Sequence, residues 1–144
     1  MSNFVNTINV LGDDVLLGQL IDKSITTIRD NVVTIVGESA FNSCKSLTEA
    51  DFPNASIIQY NAFAYCSSLK TLILRKASKC NLADYSSFSG APIVKGTGYV
   101  YVPKSLLSSY TSDVYWKNSK AQFRALEDYT VDGTITGELD PTKI

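Results

Sequence analysis

The strongest constraint on the fold is a segment of the chain that is written twice. Residues 34–47 recur 22 positions later as residues 56–69, with Ala, Phe, Cys, Ser and Leu in matching places. A fixed period of about 20 to 30 residues, with apolar residues in register, is typical of a solenoid, in which each coil buries its apolar side against its neighbours. The sequence therefore predicts a solenoid.

The same period aligns three short segments, 25–30, 47–52 and 69–74. Each has an apolar residue at its first and fourth positions, the pattern with which leucine-rich repeats line one wall of their core. We therefore expect three parallel strands, with a polar outward face of mixed charge. The columns of this face are Thr26, Thr48 and Lys70, then Thr27, Glu49 and Thr71, and last Arg29, Asp51 and Ile73.

A third, looser copy follows at a shift of 25, where residues 85–90 match residues 60–65. Three residues are therefore inserted, and we expect the turn from Ser78 to Ala83 to hold them, because loops tolerate insertions. The alignment also predicts an aromatic ladder of Phe41, Phe63 and Phe88.

After the third copy, Tyr99–Val102 is rich in β-branched and aromatic residues and is predicted as a fourth strand, stopped by Pro103. The spacing of apolar residues beyond Pro103 predicts a helix over 104–111, with Trp116 in a following turn. Residues 123–129 fit a strand or a helix. The period is lost beyond Pro103, so we interpret this region as a C-terminal cap.

The predicted fold class is an α/β repeat: a short leucine-rich-repeat solenoid with a parallel sheet of about four strands and helical caps at both ends. At the start, Asp13 or Asp14 can cap a helix over 15–21. A chain of 144 residues suits one domain. Its predicted parts are an N-terminal extension and cap (1–24), the solenoid (25–102), a C-terminal cap (103–128) and a polar tail (129–144).

Composition narrows the class of protein. Apolar residues at 44% and charged residues at 19% exclude a disordered chain. A net charge of −1 offers little attraction for nucleic acid or an anionic membrane, so neither is expected as a partner. The first residues carry no basic segment followed by an apolar one, so we expect synthesis in the cytoplasm without a visible export signal.

Catalysis has no visible basis in the sequence. The chain has no His, which removes the usual general base near neutral pH and the usual partner of a Ser or Cys nucleophile. Glu49 and Asp51 share a strand face but fit a solvated surface next to Arg29 and Lys70. We expect no enzyme activity, no cofactor and no metal.

The three cysteines are predicted to be buried free thiols. Cys44 and Cys66 hold the same place in successive coils, where parallel Cβ vectors fit a disulfide poorly. An odd number of cysteines also argues against a closed disulfide framework. A zinc site would need four ligands, and the chain has no CxxC pair.

Tyrosines mark a candidate recognition surface. Glu38, Tyr60 and Tyr85, with Tyr65 nearby, are expected on the convex turn side of the coils. Two interpretations stand side by side: packing at the edge of the core, or recognition of a glycan or a protein by stacking and anchoring.

The pattern Ala-Phe-x-x-Cys-x-x-Leu, at residues 40–47 and 62–69, resembles the BspA-type leucine-rich repeat. Residues 98–103, followed by Tyr110 and Trp116, are similar to the segment that closes such repeats in structural proteins of tailed phages. The resemblance implies a non-enzymatic virion component in several copies, as a capsid decoration, a head fibre or part of a tail, made in the cytoplasm of the host bacterium. The alternative is a bacterial cell-surface adhesion module that binds host protein or glycan.

The segments outside the repeat are candidates for assembly, since short extended termini can pair with a sheet edge or wrap a neighbouring subunit. The predicted assembly contacts are Ile8, Val10, Val131 and Ile135. Their partners would be other virion proteins and copies of the same chain.

Overall fold

The computed structural model describes residues 24–30, 33–128, 130–131 and 134–135. Its strands are β1 (Thr27–Arg29), β2 (Ile35–Val36), β3 (Glu49–Asp51), β4 (Ile57–Ile58), β5 (Thr71–Ile73), β6 (Asn81–Leu82), β7 (Tyr99–Val102), β8 (Phe123–Ala125), β9 (Thr130–Val131) and β10 (Thr134–Ile135). Its helices are α1 (Pro92–Lys95) and α2 (Leu107–Thr111), with 3-10 segments at Tyr85–Phe88, Lys104–Leu106, Trp116–Gln122 and Leu126–Asp128.

The main sheet is parallel and has the strand order β1-β3-β5-β7-β8. Its first three strands keep the period of the sequence, because Thr27 pairs with Glu49 and Glu49 pairs with Thr71. The side chains at the middle of each strand point into the core and are buried, namely Ile28, Ala50, Leu72 and Val100. The predicted solenoid and its fourth strand at Tyr99–Val102 are thus confirmed.

A second parallel sheet, of order β2-β4-β6, runs along another side of the coils. It was not predicted, because each of its strands is only two residues long. Ile35 pairs with Ile57, and Ile57 pairs with Asn81, so the shift grows from 22 to 24 residues between β4 and β6. The extra residues therefore lie between β5 and β6. The predicted turn from Ser78 to Ala83 is only partly right, because Asn81–Leu82 within it forms β6.

A third set of main-chain hydrogen bonds joins the turns of successive coils. The amide of Phe41 donates to the carbonyl of Ala62 at 2.7 Å, and the amide of Phe63 donates to the carbonyl of Ser87 at 2.7 Å. We call these bonds the turn ladder. With the two sheets, the turn ladder bonds each coil to its neighbour on three sides, which satisfies main-chain groups that burial would otherwise leave unpaired.

The predicted aromatic ladder runs through the core. The rings of Phe41 and Phe63 stack with centroids 5.1 Å apart, and those of Phe63 and Phe88 with centroids 5.3 Å apart. Phe52 tilts against the first two rings. The prediction for the thiols is also confirmed, since Cys44, Cys66 and Cys80 are free and buried.

The C-terminal cap closes the aromatic ladder with Trp116, whose ring lies 5.7 Å from that of Phe88 and packs edge-on against Phe123. The predicted helix over 104–111 is present as a 3-10 turn followed by α2. Trp116 opens a 3-10 segment where a turn was predicted. The open segment 123–129 begins as the strand Phe123–Ala125 and continues as the 3-10 segment Leu126–Asp128. The main sheet accordingly has five strands, one more than predicted.

One part of the predicted outward face is wrong. Asp51 and Ile73 are fully buried, although both were assigned to the solvated side of the sheet. Ile73 packs with Leu126 and Tyr101, because the 3-10 segment after β8 covers this column of the sheet. Asp51 is buried against Arg75, whose Nη2 donates to its carboxylate at 3.0 Å. The last column is therefore covered at Asp51 and Ile73 but not at Arg29, whereas the first column is exposed along its length.

Two predicted features fall partly or wholly outside the described residues. The N-terminal helix over 15–21 is one of them. In the tail, β9 and β10 pair antiparallel on either side of residues 132–133. Of the predicted polar tail, residues 129–144, the structure describes only these two strands.

Candidate interaction surfaces

Three exposed tyrosines lie on the turn side of the coils. Tyr60, Tyr65 and Tyr85 are 52%, 57% and 55% exposed, among the highest values for large apolar side chains in the described part of the chain. Tyr60 and Tyr85 hold the same position in successive coils, whereas Tyr65 lies at the other end of its turn. We call these three residues the tyrosine surface.

The main chain under the tyrosine surface is bonded to the coils on both sides. The carbonyl of Tyr60 accepts from the amide of Ser39 at 3.0 Å, and the amide of Tyr65 donates to the carbonyl of Ser89 at 2.6 Å. Asn61 and Tyr65 have left-handed backbones, with φ of 57° and 61°. The tight turn directs these side chains outward, so the tyrosines sit on a fixed scaffold.

Tyr65 has a packing role that sequence reasoning missed. Gly90 follows in the next coil with φ of 75°, and a Cβ added there would lie 2.9 Å from Cδ1 of the Tyr65 ring. The ring therefore rests on the glycine while its other side faces solvent. The signal was present, because a shift of 25 places Gly90 at the position of Tyr65.

The carboxylates of the sheet face are held by arginines. Arg29 donates to Glu49 at 2.6 Å, and Arg75 binds the buried Asp51 through Nε and Nη2. Burial raises the pKa of Asp51, although hydrogen bonding and charge from Arg75 act in the opposite direction. Each carboxylate is thus engaged with a cation, and the two form part of the sheet's structure.

A cluster of aromatic and basic side chains lies at the far end of the same face. Cζ of Arg124 stands 4.7 Å from the ring centroid of Tyr99, which is 40% exposed, and Tyr101 lies alongside Tyr99. Burial raises the pKa of Tyr101, and the neighbouring Tyr99 adds to the rise. Sequence reasoning missed this cluster because it did not assign β8, the strand that carries Arg124.

The predicted assembly contacts are only partly placed. Ile8 and Val10 lie outside the described residues. Val131 and Ile135 belong to β9 and β10, whose backbones are described and whose side chains are not. Their role in assembly stays a prediction.

The described residues hold no group of three or more His, Cys, Asp or Glu side chains arranged to bind a metal ion. Within the same part of the chain, no helix has the length and apolar character needed to cross a membrane. Burial raises the pKa of the Cys80 thiol to about 12, so it stays protonated at neutral pH.

Comparison with known proteins gives one match. Residues 5–108 match, in 6 copies, the family described as the BspA type leucine rich repeat region. No curated protein and no solved structure matches the chain. The matched region includes every coil described above and the start of the C-terminal cap.

Proposed function

We propose that this chain, which belongs to the BspA-type leucine-rich-repeat family, is a non-enzymatic structural component of a bacteriophage virion, either a capsid decoration or head fibre or part of a tail. At the coarser level, the family match supports a protein-interaction or adhesion module. The main support for an interaction role is the tyrosine surface. Its three rings are each more than half exposed and lie on turns that are held by hydrogen bonds.

The chemistry of the tyrosine surface suits a protein or a glycan. A tyrosine ring offers a large apolar face and a hydroxyl, and it loses little conformational freedom on binding. The turn ladder holds the main chain in place before binding, which lowers the cost of ordering the site. The residues next to Tyr60 and Tyr65 in sequence are uncharged, which suits nucleic acid badly.

Support for the virion role comes from the resemblance of residues 98–103, with Tyr110 and Trp116, to the closing segment of phage structural proteins. In this structure those residues form β7 and the cap. The hydroxyl of Tyr110 accepts from the amide of Cys80 at 2.7 Å, and Nε1 of Trp116 donates to the carbonyl of Cys80 at 2.8 Å. The segment thus closes the coil stack of this chain.

The absence of catalysis is part of the proposal. The chain has no His, and the two carboxylates of the sheet face are engaged with Arg29 and Arg75. Without His, a general base would have to be a carboxylate or a Lys, Tyr or Cys side chain with a suitably shifted pKa. A contact surface explains the exposed tyrosines more directly.

The location of the protein tests the virion role. Quantitative mass spectrometry on purified particles should find the protein in a fixed ratio to the major head or tail proteins. Recovery from bacterial surface fractions, with none in the particles, would instead favour the alternative, an adhesion module that binds host protein or glycan. The family match is compatible with both.

Substitution tests the tyrosine surface. The double variant Tyr60→Ala/Tyr85→Ala should keep its fold, because both side chains are exposed, and should bind its partner at least about tenfold more weakly, since two anchor residues are lost. Tyr115→Ala is the matched control, because this tyrosine is also exposed but lies on the C-terminal cap. The assay is reattachment to particles or cells that lack the protein. Equal binding by the double variant and the control would remove the tyrosine surface from the proposal.

A further inference from the structure

The net charge of −1 hides a strong asymmetry along the chain. Residues 70–124 contain nine Lys or Arg and two Asp, a net charge of +7, whereas residues 24–69 contain two Lys or Arg and four Asp or Glu, a net charge of −2. Local charge of one sign attracts a partner of the other sign whatever the total charge of the protein. The C-terminal half of the solenoid can therefore attract an anionic partner even though the whole chain has a net charge of only −1.

The fold brings part of this positive charge to one edge of the main sheet. Lys70 comes directly before β5, Lys95 ends α1, which leads into β7, and Lys120 comes shortly before β8. Neighbouring parallel strands begin at the same edge of a sheet and lie about 4.8 Å apart. Arg124 lies on β8 itself. We call Lys70, Lys95, Lys120 and Arg124 the basic surface.

Several contacts tie the elements of the basic surface together. The amide of Tyr99 donates to the carbonyl of Lys70 at 2.8 Å, and the buried Nε2 of Gln122 donates to the carbonyl of Gly98 at 2.6 Å. Helix α1 packs against the 3-10 segment that carries Lys120. The four cations are therefore mounted on one connected part of the fold.

Nearby acidic groups do not neutralise the basic surface. Of the nearby carboxylates, Asp113 binds Lys79 at 2.7 Å and Asp84 accepts from the amide of Ser86 at 3.2 Å. Glu127, which follows Arg124 by three residues, accepts from the amide of Lys104 at 3.0 Å. All four members of the basic surface are exposed and form no ion pair with the acidic residues that the structure describes. At the other end of the same edge, Thr26 and Thr48 hold the places that correspond to Lys70.

Like charges gathered at one edge of a sheet repel one another, so the stability of the fold does not explain this arrangement. The arrangement also includes an aromatic ring, because Tyr99 is 40% exposed and lies beside the guanidinium of Arg124. A ring next to a row of cations matches a sugar polymer that carries anionic groups: the ring packs on the sugar and the cations bind the anions.

We propose that the basic surface binds an anionic polysaccharide, a sugar or polyol polymer that carries carboxylate or phosphate groups along its length. This interaction goes beyond the proposed function and uses a different set of residues from the tyrosine surface. Either surface can therefore fail a test without the other.

The experiment measures binding of the full-length protein to immobilised polygalacturonate, a carboxylate polymer, and to poly(glycerol phosphate), with neutral dextran as the blank. We expect binding to at least one anionic polymer and none to dextran, with affinity falling as salt is raised because the attraction is electrostatic. The preferred polymer distinguishes carboxylate from phosphate as the bound group.

Charge-removing variants locate the contact. Lys95→Gln/Lys120→Gln should weaken binding by about tenfold, which corresponds to about 1.4 kcal/mol. Lys45→Gln is the matched control, because it removes an exposed lysine from the N-terminal half and should leave binding unchanged. Tyr60→Ala/Tyr85→Ala should also leave it unchanged. Binding to neither anionic polymer, an equal loss in the Lys45 variant, or tighter binding to single-stranded DNA than to both polymers would overturn the proposal.

Discussion

The repeat, residues 33–74, and the region from Arg75 to Glu127 are held together in different ways. In the repeat, one coil bonds to the next through main-chain groups, as in the amide of Ser43 donating to the carbonyl of Ala64 at 2.7 Å. In the later region, side chains make the decisive bonds: Tyr110 and Trp116 hold the Cys80 peptide groups, and Gln122 holds Gly98. The repeat is regular, whereas the later region adds single side-chain contacts to its main-chain pairing.

The two regions are therefore sensitive to different kinds of substitution. Main-chain bonds do not depend on residue type, so the repeat is sensitive to the volume of the side chains that fill it. The single contacts of the cap depend on one donor or acceptor each, and losing one leaves a buried polar group without a partner.

Loss of volume in the repeat should be the most damaging change. Phe63 stacks between Phe41 and Phe88, so Phe63→Ala should lower the free energy of unfolding by about 3–5 kcal/mol. Thr48→Ala is the control, since this exposed side chain donates only to the carbonyl of Thr26, and it should cost within about 0.5 kcal/mol. Urea denaturation gives both values. Two small and similar losses would contradict the solenoid register.

Loss of a single hydrogen bond should matter in the cap. Tyr110→Phe keeps the ring but removes the acceptor of the buried Cys80 amide, so it should cost about 1–3 kcal/mol. Combining it with Trp116→Phe should give a loss that differs from the sum of the two, because both side chains bind the same residue. Tyr60→Phe is the matched control on an exposed ring. Strict additivity in the double-mutant cycle would mean that the two bonds act independently.

Two opposite substitutions in the turns, one that removes a glycine and one that adds a glycine, test backbone strain. Ser43, Tyr65 and Gly90 share a left-handed backbone at corresponding positions of three coils. Gly90→Ala should cost about 1–2 kcal/mol, because it adds the left-handed penalty and a Cβ that crowds the Tyr65 ring. Ser43→Gly should be neutral or slightly stabilising, since glycine adopts this backbone freely. Similar losses from both changes would show that the backbone conformation is not what decides the residue at this position.

The smallest expected effect depends on pH. Although burial alone would raise the pKa of Asp113, its hydrogen bonds from Lys79 and from the amides of Tyr115 and Trp116 lower it overall. A carboxylate with a lowered folded-state pKa stabilises the fold above its unfolded value, about 3.9, and loses that contribution as the pH falls through the folded value. Asp113→Asn should therefore cost about 1 kcal/mol at neutral pH and progressively less below about pH 4.

The titration of Asp51 changes stability with pH in the opposite direction to that of Asp113. Because burial raises its pKa in the folded state, protonation is easier there than in the unfolded chain, and its own titration makes the fold less stable as the pH rises through that range. Unfolding curves of Asp113→Asn and the unaltered protein, measured from neutral pH into the acid range, test the assignment. A gap that stays constant with pH would mean that Asp113 acts through its shape and not its charge.

Much of the fold could be predicted because the 22-residue period of the sequence is also the strand register between successive coils. The phenylalanine ladder and the strands around Ile28, Ala50 and Leu72 were predicted in register. Strand β8 was not, because the 22-residue period ends before it, although Val100 pairs with Phe123 at the similar distance of 23 residues. The burial of Ile73 was also missed, since its cover, Leu126, lies far along the chain.

The candidate surfaces were predictable to a different extent. The exposure of Tyr60 and Tyr85 followed from their place in the turns, because a residue type in a known coil position has a known environment. The basic surface could not be predicted, since its three lysines come from three connections of unequal length and Arg124 comes from β8, and only the folded sheet brings them together. Counting charge over the whole chain also cancelled the asymmetry between the two halves.

Because the turn ladder repeats from coil to coil, it favours some changes in chain length over others during evolution. A duplicated coil inserted inside the stack meets, above and below, the same main-chain partners as the coil from which it was copied. Growth by whole units therefore preserves every bond, whereas a partial duplication breaks the alignment of all coils beyond it. The C-terminal end has no such freedom, because its contacts to Cys80 and Gly98 serve one place only. Lineages of this chain should thus differ by complete coils in the interior and keep a single, inherited terminus.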